Sequence, residues 1–521
     1  MKHLTTLRFV LTISVILSFA TSLQARVVEI KVNKVSAFGN FMPGDFVRLE
    51  GELKGELEPS ETIPGLNKVT LNSSGKVEYR TPFVIIMPST NAKGNGAVLI
   101  DIPNRGRAIS HFLYNSGREN FLPLDLEART GFLQHQGFTV GMVQWELGQG
   151  ITIPSFTDER GEKRFVEGVG LAAIRDFADF MRTLPSNTVA ASAELQQLSN
   201  GKNRPNRIFA VGYSQTARLL KTLLIEGFNT ADNRRVFDGL HLHASASGLA
   251  DIQATGKGPA SSTFFTPRFT HPEHRGVTEE PLSYASIVTK IKGQKPKLVV
   301  TNATTDYYNI RASLARTGAG GFVDVSIPSN VRIYDIAGAS HGRQVEKTCE
   351  FAPGQLDFFP ALRASLLHLD NWVAKNALPP ATTLMPLEPQ PSNPMLLQAP
   401  RHLPGAIAQV PKQDADGNSL GGVQLPDLAV PLGTHGAQNP PLADRGCNLN
   451  AAFIPFAKTS QSRSSTDQRL SLKERYKTHA NYVRKVQTAS NKLVKDRFLL
   501  KQDAIAIVNA AKQQKSVFDF Q

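Results

Sequence analysis

Along this chain, short continuous apolar runs alternate with longer stretches in which apolar residues recur every third or fourth position. "GAVLIDIPNRG", "GFTVGMVQWELG", "RIFAV", "GLHLHASAS", "KPKLVVTNATTDYYN" and "NVRIYDIAGASHG" are of the first kind. Runs that are apolar throughout and bounded by turn residues fit strands buried on both faces. In "VGLAAIRDFADFMRTL", Leu171, Ile174, Ala178 and Met181 share one helical face, and Arg175, Asp179 and Arg182 are expected to face away. Leu219, Leu220, Leu223 and Leu224 form a similar stripe after "RIFAV". Such alternation predicts an α/β fold with a mostly parallel sheet covered by helices on both sides. Before it, residues 26–95 are β-rich, with "RVVEIKV", "GDFVRLEGEL" and "PFVIIMP" separated by turns.

Residues 96–378 carry the alternation, broken at 251–293 by a segment rich in Pro, Thr and charge that reads as a lid-like insertion over the sheet's C-terminal edge, where open α/β sheets hold their sites. Residues 379–521 begin with Pro-rich stretches that wrap rather than form a second core, and end in helices. In the basic segment "KERYKTHANYVRKVQTASNKLVKDR", Tyr482, Val486, Ala489 and Leu493 fall on one face, with Arg484, Lys485, Lys492 and Lys495 elsewhere. That is the pattern of a helix docked on a core with a solvated basic side, so despite the net charge of +14 no nucleic-acid partner is expected.

Residues 1–25 resemble an export signal. Lys2, His3 and Arg8 precede the apolar run "FVLTISVILSFA", and Ala25 offers a small residue for cleavage. That run is shorter than the ~20 residues of a membrane span. The expectation is a secreted or periplasmic protein without a stable membrane span. Two cysteines, Cys349 and Cys447, are the minimum for one disulfide there, and the sequence leaves their pairing open.

The join "RIFAVGYSQTARLLKTLL" places Ser214 between a strand and a helix. A nucleophile on such an elbow stands above the sheet with the new helix's N–H groups aimed at it. Gly212 fits the required tightness, but Thr216 occupies the final position of the pattern G-x-S-x-G, where glycine is usual. A base is expected after the last strand, and His341 in "VRIYDIAGASHGR" has that context. Asp306, five residues beyond "LVVT", is the first candidate to orient it, Asp251 is the fallback, and Asp335 inside a strand reads as structural. Oxyanion donors are expected from the N–H of Gln215 and from Asn104, Arg105 or Gly106 in "DIPNRGRA". Tyr213, Phe264, Phe265 and Phe269 are candidates to line a substrate pocket, although aromatic residues there serve packing equally well. The pairs His241/His243 and His271/His274 lack a third ligand in defined spacing, so no metal is expected, and no phosphate-binding or dinucleotide glycine motif occurs.

These residues resemble the α/β-hydrolase superfamily, and more narrowly a group of large exported α/β-hydrolase-domain proteins. The resemblance spans most of the chain after residue 25 and is carried by "IPNRGRA", "FAVGYSQTARLL", "IAGASHG", "LDNWVAKNALPPAT", "DRGCNLNAAFIPF" and "HANYVRKVQTASNKLVKDRFLLKQDA". It implies a serine hydrolase with Ser214 as nucleophile and His341 as base, and no particular substrate. The expected activity is that of a carboxylic ester hydrolase acting through an acyl-enzyme, with no cofactor. A peptidase or amidase on the same scaffold and a non-catalytic binding protein are the alternatives. Oligomeric state is not legible.

Overall fold

The computed structural model describes residues 26–117, 125–189, 192–201, 203–250, 283–342, 349–389, 409–440, 447 and 449–520. The expected signal, residues 251–282 of the insertion, Asp251, Phe264, Phe265, Phe269, His271 and His274 lie outside these.

One nine-stranded sheet organises the chain. Its strands, numbered along the sequence, are β1 (Val27–Phe41), β2 (Gly44–Leu57), β3 (Val77–Pro88), β4 (Ala97–Asp101), β5 (Thr139–Val143), β6 (Arg207–Tyr213), β7 (Gly239–His243), β8 (Lys297–Ala303) and β9 (Val331–Ile336). Their spatial order is β1-β2-β3-β5-β4-β6-β7-β8-β9. The first three pair antiparallel and β3 meets β5 antiparallel. From β5 to β9 every neighbouring pair is parallel. The expected mostly parallel sheet is therefore extended by an antiparallel N-terminal meander, which needs no crossover helices.

The apolar runs alternate between two cores because successive strand residues point to opposite faces. Ile208, Ala210, Leu240, Leu242, Leu298 and Val300 join one core. Phe209, Val211, Tyr213 and Val299 join the other. Among the helices are α1 (Ser110–Asn115), α2 (Gly168–Thr183), α3 (Gln215–Ile225), α4 (Thr304–Asn309), α5 (Phe359–Lys375), α6 (His479–Lys495) and α7 (Lys501–Gln513). The first core takes α2 through Ile174 and Phe177 and α3 through Leu219 and Leu223. The second takes α1 through Phe112, α5 through Leu362 and Leu366, and the C-terminal helices through Val486 and Ile507. As the periodicity predicts, α6 buries Tyr482, Val486 and Leu493 and leaves Arg484, Lys485, Lys492 and Lys495 exposed.

Arg175 departs from expectation. It is buried in α2, with Nε donating to Asp176 Oδ1 and Nη1 to Glu61 Oε2, each at 2.7 Å. The turn after β2 brings Glu61 over the helix, and an arginine with two carboxylates can leave water where an unpaired one cannot.

The wrapping segment protects the sheet. Thr383 and Val423 pair with the outer edge of β9: Thr383 N–H donates to Ile333 O at 2.9 Å and Val423 N–H to Asp335 O at 2.7 Å. An edge strand covered in this way offers no free ladder to another chain. Cys349 and Cys447 are disulfide-bonded, with Cα atoms 5.5 Å apart and a sequence separation of 98. No helix among the described residues is long and apolar enough to cross a membrane.

Closing so long a loop restricts the unfolded chain, and Cys447→Ser is expected to lower the unfolding free energy by about 2–5 kcal/mol, measured by urea denaturation against the oxidised wild type.

Candidate active site

The parallel register brings the C-terminal ends of four strands level. Tyr213 pairs with His243, His243 with Thr301, and Ala303 with Ile336. Ser214 follows β6 directly, Asp306 lies in the first turn of α4 after β8, and His341 stands in the loop after β9. Residues more than a hundred positions apart thus converge on one rim of the sheet.

Ser214 holds φ 55° and ψ −109°, a conformation that side chains rarely adopt. The chain must pass from strand to helix within a single residue here, and the backbone around it is packed closely. A Cβ at Gly212 would stand 2.7 Å from backbone atoms of Thr216 and Ala217, so only glycine fits. Ser214 N–H donates to His243 O at 2.9 Å, tying the elbow to the next strand. Thr216, the departure from the usual pattern, is fully buried, and its Oγ1 accepts from Tyr213 N at 3.0 Å and donates to Tyr213 O at 3.2 Å. The hydroxyl closes the turn on itself.

The three side chains form one hydrogen-bonded line. His341 Nε2 lies 3.0 Å from Ser214 Oγ, and His341 Nδ1 lies 2.6 Å from Asp306 Oδ1. This arrangement suits the imidazole with its proton on Nδ1, donating to the aspartate and accepting from the serine hydroxyl. Asp306 is fully buried, and its other oxygen accepts from Ala303 N at 2.7 Å. Two bonds join α4 to the histidine loop: Gly338 N donates to Thr304 Oγ1 at 2.8 Å and Thr305 N to Ala339 O at 3.3 Å. Asp335 is buried in a separate network, accepting from Tyr307 Oη at 2.6 Å, Asn302 Nδ2 at 3.0 Å and Met385 N at 3.0 Å.

Tyr213 sits beneath the site rather than along a pocket wall. It is buried, its ring lies 5.4 Å from those of both His243 and His341, and its hydroxyl donates to His341 O at 2.8 Å. Loop 102–107 approaches from the opposite side. Asn104 Nδ2 donates to Tyr213 O at 2.9 Å, and Asn104 N donates to Arg107 O at 2.8 Å. The Asn104 N–H is therefore spent within its own turn, and that residue braces the loop against the elbow; the Arg105 N–H bonds the Glu146 carboxylate, which leaves Gly106 as the loop's candidate donor. Arg105 and Ser214 are both positive-φ residues.

Glu146, which the sequence reading did not single out, lies behind this loop. It is fully buried and accepts from Gln215 Nε2 at 3.2 Å. Burial pushes its carboxyl group up, against the pull of the Gln215 amide and of Arg105. It fixes the side chain of the residue whose backbone N–H opens the helix. Its only sequence signal was an acidic residue one step past an apolar run, which many solvated loops share. Of the pair His241/His243, His241 Nδ1 lies 2.6 Å from Tyr114 Oη and His243 Nδ1 2.9 Å from Thr301 Oγ1.

Two outcomes test this architecture. Thr216→Val keeps the bulk and removes the hydroxyl that satisfies Tyr213 N–H; it should cost about 1–3 kcal/mol of stability in urea melts. His243 is held near a pKa of about 4 by burial, with Asp306 pulling the other way. An unfolded imidazole titrates near 6.5, so between those values the unfolded chain binds more protons, and stability is lost as pH falls from about 6.5 to about 4. His243→Phe lacks that loss. The wild type's unfolding free energy relative to the variant's should drop by up to ~3 kcal/mol between pH 7 and pH 4.

The profile described as "Alpha/beta hydrolase domain" matches residues 58–509. No curated protein sequence gives a significant match. Similar solved structures include fungal esterases from Rhizomucor miehei, at 13% identity over 67% of this chain and 87% of theirs, with a TM-score of 0.30. Another is a glucuronoyl esterase from Teredinibacter turnerae, at 11% identity over 60% of this chain and 75% of that one, with a TM-score of 0.26. The profile takes in most of the sequence, and this chain belongs to the alpha/beta hydrolase domain family.

Proposed function

We propose that this α/β-hydrolase-domain protein is a serine hydrolase of carboxylic esters, working through Ser214, His341 and Asp306. The observation that carries the reading is the continuous hydrogen-bonded line from Ser214 Oγ through both nitrogens of His341 to a fully buried aspartate, at the level C-terminal ends of parallel strands. A serine hydroxyl is a weak nucleophile unless a base takes its proton as it attacks. His341 Nε2 accepts that proton while the Ser214 Oγ–carbonyl bond forms, and Asp306 holds the ring in the required tautomer and stabilises the imidazolium.

The carbonyl oxygen becomes an oxyanion in the tetrahedral intermediate. The N–H of Gln215 at the start of α3, with Gly106 across the rim, would receive it, and the positive end of the helix favours the charge. Collapse of the intermediate breaks the ester C–O bond, and the leaving alkoxide takes the proton from His341. Water then attacks the acyl-enzyme with His341 as base again, releasing the acid and restoring Ser214. Residues 1–25 and the disulfide support placing the protein outside the reducing cytoplasm.

A fluorophosphonate probe and a panel of alkyl and aryl esters, anilides and peptides test the proposal. Wild type should label at Ser214 and favour esters, while Ser214→Ala should neither label nor turn over ester. Asp306→Asn should lower kcat by about 10³–10⁴ while the fold persists. Labelling that survives in Ser214→Ala would remove this serine from its role, and a preference for anilides or peptides would replace the ester reading with an amide one.

A further inference from the structure

Arg218 lies one helical turn beyond Ser214, and its Nε donates to the carbonyl oxygen of Ser214 at 3.4 Å, the only hydrogen bond described for its guanidinium. Its side chain runs against Gly248 in the loop after β7, where a Cβ would come within 2.9 Å of Arg218 Cδ. The glycine leaves the space that the arginine stem occupies. Among the described residues no carboxylate lies within ion-pair distance of Arg218, although it is half-buried.

Three buried arginines of this protein are matched by carboxylates. Arg175 has Asp176 and Glu61, Arg316 has Asp324 and Asp335, and Arg363 has Asp503. That is the expected rule, since an enclosed cation without an anion is costly. At the elbow the rule fails beside the reacting atoms. Across the rim stands a second cation, Arg105, whose Nη1 donates to Asn104 Oδ1 at 2.7 Å. Glu146 faces Arg105, and the carboxylate of Asp306 is engaged by His341. Among the described residues, one positive charge on this rim thus has no carboxylate within ion-pair distance, and Asp306 acts on it only from farther away. Burial and the charge of Arg105 draw the Arg218 guanidinium down to about 10, so it remains charged at neutral pH.

We propose that Arg218, with Arg105 opposite, forms an anion subsite beside Ser214, and that the substrates are esters carrying a carboxylate close to the scissile bond. The inference rests on the hydrolase reading above and narrows it. A guanidinium presents parallel N–H donors that match a carboxylate's two oxygens, and the match strengthens where water is excluded. A carboxylate held there would supply the missing counter-charge and fix the ester's orientation against Ser214 Oγ.

The test pairs anionic esters with neutral counterparts of similar shape. Ethyl half-esters of glutaric and adipic acid against ethyl pentanoate and hexanoate place the charge on the acyl side. 4-Acetoxybenzoate against 4-acetoxybenzamide places it on the alcohol side. In at least one series kcat/KM should favour the anionic member by about tenfold or more, and Arg218→Gln should bring that ratio to about one, with Arg218→Lys in between. As a check independent of any variant's folding, free adipate or benzoate should slow fluorophosphonate labelling of the wild type more than the matching amide does. Labelling of Ser214 and turnover of neutral esters with no anionic preference in either series would overturn the subsite and leave the hydrolase reading standing. Absence of both labelling and turnover would overturn the two together.

Discussion

Ser214 is held at φ 55° between a strand and a helix, a backbone state that costs a non-glycine residue about 1–3 kcal/mol and persists only where its surroundings leave no alternative. Those surroundings come from the sequence on either side. Gly212 admits the helix backbone at a distance that no other residue allows, and Thr216 returns its hydroxyl to Tyr213. The neighbouring strand fixes Ser214 N–H through His243 O. Once this turn is fixed, the serine hydroxyl projects from the sheet's rim, the first N–H groups of α3 face the same space, and every other member of the site is placed relative to it. The level strand ends then require only short reaches, three residues past β8 for Asp306 and five past β9 for His341.

Much of this was legible beforehand because local pattern encodes it. Continuous apolar runs gave the strands, the leucine stripe gave α3, and the order of serine, aspartate and histidine along the chain selected Ser214, Asp306 and His341. What escaped was set by contacts between distant segments. Arg175 reads as a solvent-facing residue on a helical wheel, yet Glu61 from a remote turn draws it inside. Tyr213 looks like a pocket residue because it precedes the serine, but strand alternation points it at the second core and under His341. Asn104 carries the right kind of N–H for an oxyanion, and only the geometry of its turn reveals that Arg107 already uses it. Glu146 had no pattern of its own. Thr216 looked like a weakness of the motif, and its buried hydroxyl bonds both backbone groups of Tyr213.

The polar interior follows the same division. Asp335, which reads as structural from its place inside a strand, is occupied by Tyr307, Asn302 and the Met385 backbone. Asp306 has one oxygen on a backbone N–H and one on the imidazole, so it can both stay put and act. Burial is common to both residues. The difference lies in which partners remain to be satisfied, and that depends on the topology around each strand end.

The segment that wraps the last strand also secures the histidine loop. Ser340 Oγ accepts from Ala451 N at 2.5 Å, and the disulfide joins Cys349, a few residues past His341, to Cys447. During synthesis, then, the elbow and its aspartate can be made and packed while the props for the imidazole are still roughly a hundred codons away. Ser214 thus precedes in the chain both contacts that brace the loop of His341.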